Sequence, residues 1–133
     1  MKFSFLIFFL LIAPSVHTEN RYANICELKK EKDLSHLSFE IKILKEGFYI
    51  HPDAPLSAMI KENKNLEIKK PLSFKKEEAA KSFDNNKKLS SLKFTRSAKA
   101  SSKAPSAKVE SSFFLCSAKI CEEQKNLSKC GYK

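Results

Sequence analysis

Strict alternation of apolar and polar residues is the clearest pattern in this sequence. In "HLSFEIKIL", from His36 to Leu44, apolar side chains occupy every second position and polar side chains fill most of the positions between them. A later run, "VESSFFLC" from Val109 to Cys116, repeats the same interval. A period of two residues is typical of a strand that buries one face. Both runs are therefore predicted to be half-buried strands.

The segment after the first run carries turn residues. "KEG", Lys45 to Gly47, is predicted to form a turn because glycine adopts positive φ without steric cost. "FYIH", Phe48 to His51, predicts a second extended segment. "PDAP", Pro52 to Pro55, is expected to interrupt strand pairing because proline has no N–H to donate.

The middle of the chain predicts further short strands and little helix. Residues 66–74 alternate around a proline, which favours an edge strand or a bulge, and residues 89–98 have apolar side chains at strand spacing. Residues 75–83 are helix-like for one or two turns, 84–88 favour a turn, and 97–108 predict a mobile loop because of their biased composition. Several short strands without a long helical pattern predict a β-sandwich.

The N-terminus has the layout of a secretory signal peptide. Lys2 precedes an almost wholly apolar run from Phe3 to Ala13, and small residues suitable for cleavage follow. A membrane anchor is the alternative, but the run has about eleven residues where a spanning helix needs roughly 20. We expect residues 1–18 to be removed, leaving 19–133 as a single domain without a transmembrane segment. Such a chain is periplasmic or secreted, and its cysteines meet an oxidising compartment.

Positive charge is concentrated in the middle of the chain. The formal net charge is +10, and Lys61 to Lys108 contains 14 Lys and Arg residues against 5 Asp and Glu. This field is suited to weak binding to anionic surfaces. The pattern favours the alternative, a solvated lysine-rich surface, since the lysines alternate with apolar residues as they do on strand faces. No specific nucleic acid partner is predicted, because no cluster of arginine and aromatic residues is present for base stacking.

Four cysteines remain as the candidates for chemistry. Cys116 and Cys121 would lie roughly 16 Å apart in an uninterrupted strand, whereas a disulfide requires Cα atoms within about 7 Å. The chain must therefore turn back at "SAKI", and a four-residue hairpin loop would place the two cysteines opposite each other. A bridge across so short a loop adds little stability. This pair is therefore the candidate for a catalytic thiol pair, and a permanent clip is the alternative.

Cys26 and Cys130 are the candidates for a structural disulfide. Their bridge would close a loop of about 100 residues, worth nearly 5 kcal/mol in the chain-entropy model. Four cysteines allow three connectivities, and the spacing makes Cys26–Cys130 with Cys116–Cys121 the simplest.

A metal site is a further alternative. His36, His51 and Met59 could join the cysteines around copper or zinc, but the spacings of known zinc motifs are missing. For hydrolytic chemistry, the sequence contains no nucleophile elbow and no suitable carboxylate pair. The sequence therefore predicts neither a metal nor another cofactor.

Two patches of this sequence resemble a known family. They are "FEIKILKEGFYIHPDAPL" and "VESSFFLCSAKICEEQ", and the matching residues are Gly47, Phe48, His51, Pro52, Asp53, Pro55, Cys116 and Cys121. The pattern is similar to the N-terminal periplasmic domain of the thiol:disulfide interchange protein DsbD and its single-domain relatives. The resemblance implies an immunoglobulin-like sandwich in a bacterial periplasm. It also implies that Cys116 and Cys121 exchange electrons with a membrane redox protein and thioredoxin-like partners.

The sequence departs from that pattern around the cysteines. The loop has four residues where DsbD has five, and Glu122 and Glu123 replace the aromatic and proline residues that follow the second cysteine. Two carboxylates beside Cys121 disfavour its thiolate. Phe83 is the available candidate for an aromatic cap over the bridge. Two hypotheses therefore stand: thiol–disulfide exchange, which leaves enzymatic activity open, and a non-catalytic secreted interaction module with structural disulfides only.

Overall fold

The computed structural model describes residues 20–31, 34–100 and 104–132, and the predicted signal peptide lies outside these ranges. The described residues form ten strands and one 3-10 turn, Lys76–Glu78, without an α-helix. The strands are β1 Tyr22–Glu31, β2 Leu34–Ile43, β3 Tyr49–Ile50, β4 Ser57–Lys64, β5 Leu66–Ile68, β6 Ser73–Phe74, β7 Ala80–Phe83, β8 Leu89–Ala100, β9 Ser106–Cys116 and β10 Cys121–Tyr132.

The strands form two layers. The first sheet has the order β5-β8-β2-β1, with β7 also paired to β8, and the second has the order β10-β9-β4-β6, with β3 also paired to β9. Neighbours within each sheet are antiparallel. A short parallel pairing of β1 with β10, at Glu27↔Gly131 and Leu28↔Tyr132, joins the sheets along one edge. The prediction of an all-β, immunoglobulin-like sandwich is confirmed.

The core lies between the two sheets and follows the predicted alternation. In β2, Leu37, Phe39 and Ile41 are fully buried. In β9 the buried positions are Ala107, Val109, Ser111, Phe113 and Leu115 on one face, together with Cys116 at the end of the strand. Aromatic contacts connect the layers: the rings of Tyr22 and Phe113 meet edge to face at 5.1 Å, and those of Phe74 and Phe94 lie 5.2 Å apart.

A row of polar side chains interrupts this apolar core. Asn24 of β1, Ser111 of β9 and Ser128 of β10 are all nearly inaccessible to solvent. Asn24 Nδ2 donates a hydrogen bond to Ser111 Oγ at 3.4 Å. Asn24 Oδ1 and Ser128 Oγ have no hydrogen-bond partner in the described part of the chain. Burying a polar group without a partner costs free energy, so this row opposes the stabilisation by its apolar neighbours.

Arg96 connects the sheets through its buried guanidinium. It lies on the inner face of β8, and its Nη2 donates to Glu78 Oε1 at 2.7 Å and to the Ser73 carbonyl at 3.0 Å. The same group stands 4.7 Å from the centroid of the Phe74 ring. Because its side chain is 13% exposed, this ion pair is less screened than a surface pair. Arg96 therefore links the first sheet to β6 and the 3-10 turn.

Three local predictions need correction. Residues 75–83 are helical for the single 3-10 turn only and continue as β7, because pairing with β8 overrides the helix propensity of Ala, Lys and Glu. Residues 66–74 form two short strands in different sheets instead of one, and each of them lies at the edge of its sheet, as predicted. The predicted loop 97–108 is strand up to Ala100 and again from Ser106, since β8 pairs there with β2 and β5. Its residues 101–103 lie outside the described ranges.

The predicted turns are confirmed. Gly47 has a φ of +91°, the left-handed region that glycine adopts readily. Residues 84–88 connect β7 to β8, and Asp84 N donates to the Lys88 carbonyl at 2.8 Å. Residues 52–55 form no strand, as their prolines predict.

Candidate functional site

The hairpin of β9 and β10 carries the first pair of cysteines. Cys116 and Cys121 are directly opposite each other in the strand register, their Cα atoms are 4.0 Å apart, and they form a disulfide. The turn between them, Ser117 to Ile120, is closed by a hydrogen bond of 2.8 Å from Ser117 N to the Ile120 carbonyl. This is the four-residue loop that the cysteine spacing predicts.

The two cysteines of this bridge differ in burial. Cys116 is 0% exposed, because β10 flanks it on one side and Tyr49 of β3 is its register partner on the other. Cys121 is exposed to solvent. Cys121 is therefore the more accessible half of the bridge.

Cys26 and Cys130 form the second disulfide, inside the core. They are 6% and 3% exposed, and their Cα atoms are 4.7 Å apart. The bridge joins β1 of the first sheet to β10 of the second, next to the short parallel pairing of these strands. The connectivity is the one that the spacing makes simplest, and burial keeps this pair from solvent.

The carboxylates beside Cys121 are each held by another side chain. Glu122 Oε1 accepts a hydrogen bond from Arg21 Nη1 at 3.2 Å. Glu123 Oε2 accepts one from Ser112 Oγ at 3.0 Å, and its other oxygen is 3.9 Å from Lys125 Nζ. Because side chains alternate along β10, Glu123 shares a face with Cys121 and Glu122 faces the other way. The nearby cations offset part of the negative charge that the sequence places beside Cys121.

Phe83, the candidate for an aromatic cap, ends β7 and is 59% exposed, so most of its side chain faces solvent. The burial of Cys116 comes from its own sheet, in which β3 and β10 pair with the end of β9 on either side.

A cleft of about 800 Å³ opens beside the Cys116–Cys121 bridge. Three connections line it: the β2–β3 loop at Glu46–Tyr49, the β7–β8 turn at Asp84–Lys88, and the β9–β10 turn at Ser117–Ala118. We call this feature the loop cleft. Loops collect at the ends of a β-sandwich, and such loops on a rigid scaffold are common binding sites.

Internal hydrogen bonds fix the shape of the loop cleft. Asp84 Oδ1 accepts from the backbone N–H groups of Asn86 at 2.8 Å and Lys88 at 2.9 Å. Ser117 Oγ accepts from the N–H groups of Lys119 and Ile120, and the disulfide holds the ends of the same turn. These contacts organise two of the three walls before any ligand arrives.

Aromatic rings and cations give the loop cleft its chemistry. Lys88 Nζ lies 4.9 Å from the centroid of the Tyr49 ring, a cation–π distance. Lys45 and Arg21 each lie 5.8 Å from the centroid of Phe48. With the amides of Asn85 and Asn86, the lining offers apolar surface together with donors and acceptors, the combination found in ligand sites.

The residues of the metal alternative do not come together. His36 lies in β2 of the first sheet, and Met59 lies in β4 of the second. His51 Nδ1 accepts hydrogen bonds of 3.0 Å from the N–H groups of Asp53 and Ala54, so it caps a local turn. All four cysteines are in disulfides, and no group of three or more potential metal ligands occurs in residues 20–31, 34–100 and 104–132.

Comparisons with known proteins give a likeness of architecture only. No protein-family model matches the chain, and no curated protein matches it. Among solved structures it is similar to the collagen-binding subdomain of the Enterococcus faecalis surface protein ACE, with a TM-score of 0.42 and 7% identity over 86% of this chain and 99% of that one. It is also similar to the collagen-binding domain of a Staphylococcus aureus adhesin, with a TM-score of 0.42, 11% identity and the same coverage. Nothing in these comparisons supports the resemblance to DsbD specifically.

No described helix is long and apolar enough to span a bilayer.

The loop cleft is not evident from the sequence, although the turns that line it are predicted. Gly47, Asp84 and Ser117 belong to three connections far apart in the chain, and only the sandwich brings them to one end. The sequence did carry one signal of the cleft, which is the spacing of the turns. The strands that precede these turns all run toward the same end of the sandwich.

Proposed function

We propose that this chain is an exported, non-catalytic binding module that holds a protein partner at the loop cleft, with both disulfides as structural links. The observation that carries the proposal is that three connections from distant parts of the chain enclose one preorganised cleft. A volume of about 800 Å³ is within the usual range for ligand sites. Preorganisation favours binding because little loop entropy is lost when the partner arrives.

Exposed apolar side chains flank each wall of the loop cleft. Leu44 is 51% exposed and precedes the β2–β3 wall, Phe83 is 59% exposed and precedes the β7–β8 wall, and Ile120 is 59% exposed and follows the β9–β10 wall. Apolar side chains grouped in this way favour a protein interface. Lys88 adds positive charge to the lining, and Glu46 and Asp84 add negative charge. The partner that fits is therefore a protein segment that combines apolar side chains with charges of both signs.

In this function the Cys116–Cys121 bridge would set the geometry of one wall. It locks the ends of the turn that carries Ser117 and Ala118, next to the exposed Ile120. Both bridges also suit an oxidising compartment outside the cytoplasm.

Site-specific photocrosslinking tests the proposal. With a benzoyl-phenylalanine at Ala118 in the wall, the exported chain is expected to form a discrete adduct in its native host. The same group at Thr95, exposed on the outer face of the first sheet, is the control and is expected to give none.

Ile120→Ser should lower the adduct yield from Ala118 about tenfold, the loss of one apolar anchor. Leu127→Ser, 54% exposed on β10, should leave it unchanged. Equal adducts from Ala118 and Thr95, or none from Ala118, would contradict the proposal.

Thiol–disulfide exchange is the second candidate, and the exposure of Cys121 opposite a buried Cys116 favours it. A partner thiolate would attack Cys121 Sγ, form a mixed disulfide and release Cys116 as a thiolate. A second thiol of the partner would then resolve the mixed disulfide, leaving both cysteines reduced and the partner oxidised. The partner would be a thioredoxin-like protein or a membrane redox protein.

A redox titration distinguishes the two functions. In glutathione buffers of decreasing potential, read by differential alkylation and mass spectrometry, Cys116–Cys121 is expected to open before Cys26–Cys130, because Cys121 is accessible and the other pair is buried. Structural bridges have potentials below about −300 mV and labile ones higher values. We expect the Cys116–Cys121 midpoint below that limit. A midpoint well above it would replace the binding module with the exchange function.

A further inference from the structure

One edge of the sandwich is unusually rich in lysine. The chain crosses there from β4 in the second sheet to β5 in the first and back to β6 in the second. Residues 61–76 contain six lysines and two glutamates. Five of the six lysines are exposed, and we call four of these, Lys64, Lys69, Lys70 and Lys75, the basic edge.

The lysines of the basic edge have no acidic partner within 4.0 Å in the described parts of the chain. The other two lysines of the segment are engaged: Lys61 lies 3.9 Å from Glu110, and Lys76 donates to the Pro52 and Ala54 carbonyls. Of the two acids, Glu62 pairs with Lys108 at 3.3 Å, and Glu67 stands opposite Lys99 in the strand register. The positive charge of the basic edge is therefore not neutralised locally.

Three other lysines of the second sheet are paired with acids. Lys61, Lys108 and Lys125 each have a carboxylate oxygen within 4.0 Å. On a solvated surface of this kind, acidic residues placed between the lysines limit the repulsion among the positive charges. On the basic edge, Lys69 and Lys70 are adjacent in sequence and repel each other, and an external polyanion would relieve that repulsion.

The shape and composition of the edge select the class of polyanion. The exposed large apolar residues of the described chain lie outside 61–76 in sequence. Leu34, 49% exposed, shares a cavity with Lys69, but one leucine offers little apolar area to insert into a membrane. Its aromatic residue, Phe74, is 5% exposed and cannot stack on a base. The three residues of β5, about 10 Å long, separate Lys64 from Lys69, so the charges are spread along the edge.

We infer that the basic edge binds a linear acidic polysaccharide, sulfated or carboxylated, through charge contacts. Lysine is a compact, strongly hydrated cation, so such binding is salt-sensitive and selects for charge density. This surface is separate from the loop cleft. β8 starts beside the cleft at Leu89 and reaches its pairing with β5 at Ala98, roughly 30 Å farther along the strand. The polysaccharide and a partner in the loop cleft can therefore bind together.

Matched charge-removal variants test the inference on the exported chain. One variant changes Lys64, Lys69, Lys70 and Lys75 to Gln, and the control changes Lys29, Lys42, Lys119 and Lys125, which are exposed on other surfaces. Both lose four positive charges. With heparin as the probe, we expect the first variant to lose at least about tenfold in affinity and its log–log salt slope to fall by roughly one per lysine. The control should change by less than about threefold. Unchanged thermal midpoints verify that both variants fold.

Three outcomes would overturn this inference. Equal losses in the two variants would mean that net charge alone drives binding. Absence of binding to heparin and to chondroitin sulfate near physiological salt would remove the ligand class. Tighter binding of duplex DNA, or of vesicles containing phosphatidylserine, would assign the basic edge to a different macromolecule. None of these results bears on the photocrosslinking at Ala118, so the loop cleft is tested independently.

Discussion

Replacing both Cys26 and Cys130 with alanine is expected to destabilise the fold by about 5 kcal/mol, against about 2 kcal/mol for replacing Cys116 and Cys121. The difference follows from the loops that the two bridges close, since the cysteines are 104 and 5 positions apart in sequence. For a domain of this size, about 3 kcal/mol corresponds to roughly 10 °C in the thermal midpoint. Calorimetry of the two double variants measures this difference in thermal midpoint.

Strand pairing in the structure reinforces this order. β9 and β10 are already held by ten residue pairs in register, so the Cys116–Cys121 bridge closes a hairpin that the ladder also closes. β1 and β10 share only two residue pairs, so Cys26–Cys130 is the principal link between those strands. A larger loss from the Cys116/Cys121 variant would show that the packing of the fully buried Cys116 outweighs chain entropy.

Truncating Phe39 to alanine is expected to cost about 3–5 kcal/mol, the usual penalty for emptying a buried aromatic position. Phe39 is 0% exposed, and its ring stacks on Phe94, its register partner in β8, with centroids 6.4 Å apart. Urea denaturation followed by circular dichroism measures the loss. Phe83→Ala is the matched control, because Phe83 is 59% exposed and should change stability by less than about 0.5 kcal/mol. Similar costs at both positions would mean that Phe39 does not belong to the core.

The sequence predicts the parts of the fold in which burial and residue type agree. β2 and most of β9 bury apolar residues at every second position, and their period is visible without a structure. The Cys116–Cys121 hairpin was predictable for a different reason: covalent geometry leaves a chain of four intervening residues little choice but to turn back.

Two of the strands that escaped prediction, β10 and β1, include polar residues on their inner faces. β10 directs Gln124, Asn126 and Ser128 toward the interior, and Tyr22 Oη hydrogen-bonds to the first two at 3.1 and 3.3 Å. β1 likewise buries Asn24. Pairing with neighbouring strands holds these segments in place, so hydrophobic periodicity does not reveal them.

The candidate site was predictable only in its covalent part. The cysteine spacing indicated the bridge. The exposure of Cys121 instead depends on which strands lie beside it, because β3 pairs with β9 next to Cys116 and not with β10. The loop cleft depends on contacts between segments about 40 and 70 residues apart, and local sequence patterns carry no information on such proximity.

The Cys26–Cys130 bridge also governs how the protein responds to a mechanical load. Fully extended, the segment between these cysteines would span roughly 350 Å, whereas the bridge keeps their Cα atoms 4.7 Å apart. Tension applied to the chain before Cys26 and after Cys130 passes through the sulfur–sulfur bond. The strand pairs formed by the residues between these cysteines then carry no load. The oxidised domain is thus an inextensible link under force. Reduction of this one bond would convert it into a tether that lengthens as its strands unravel.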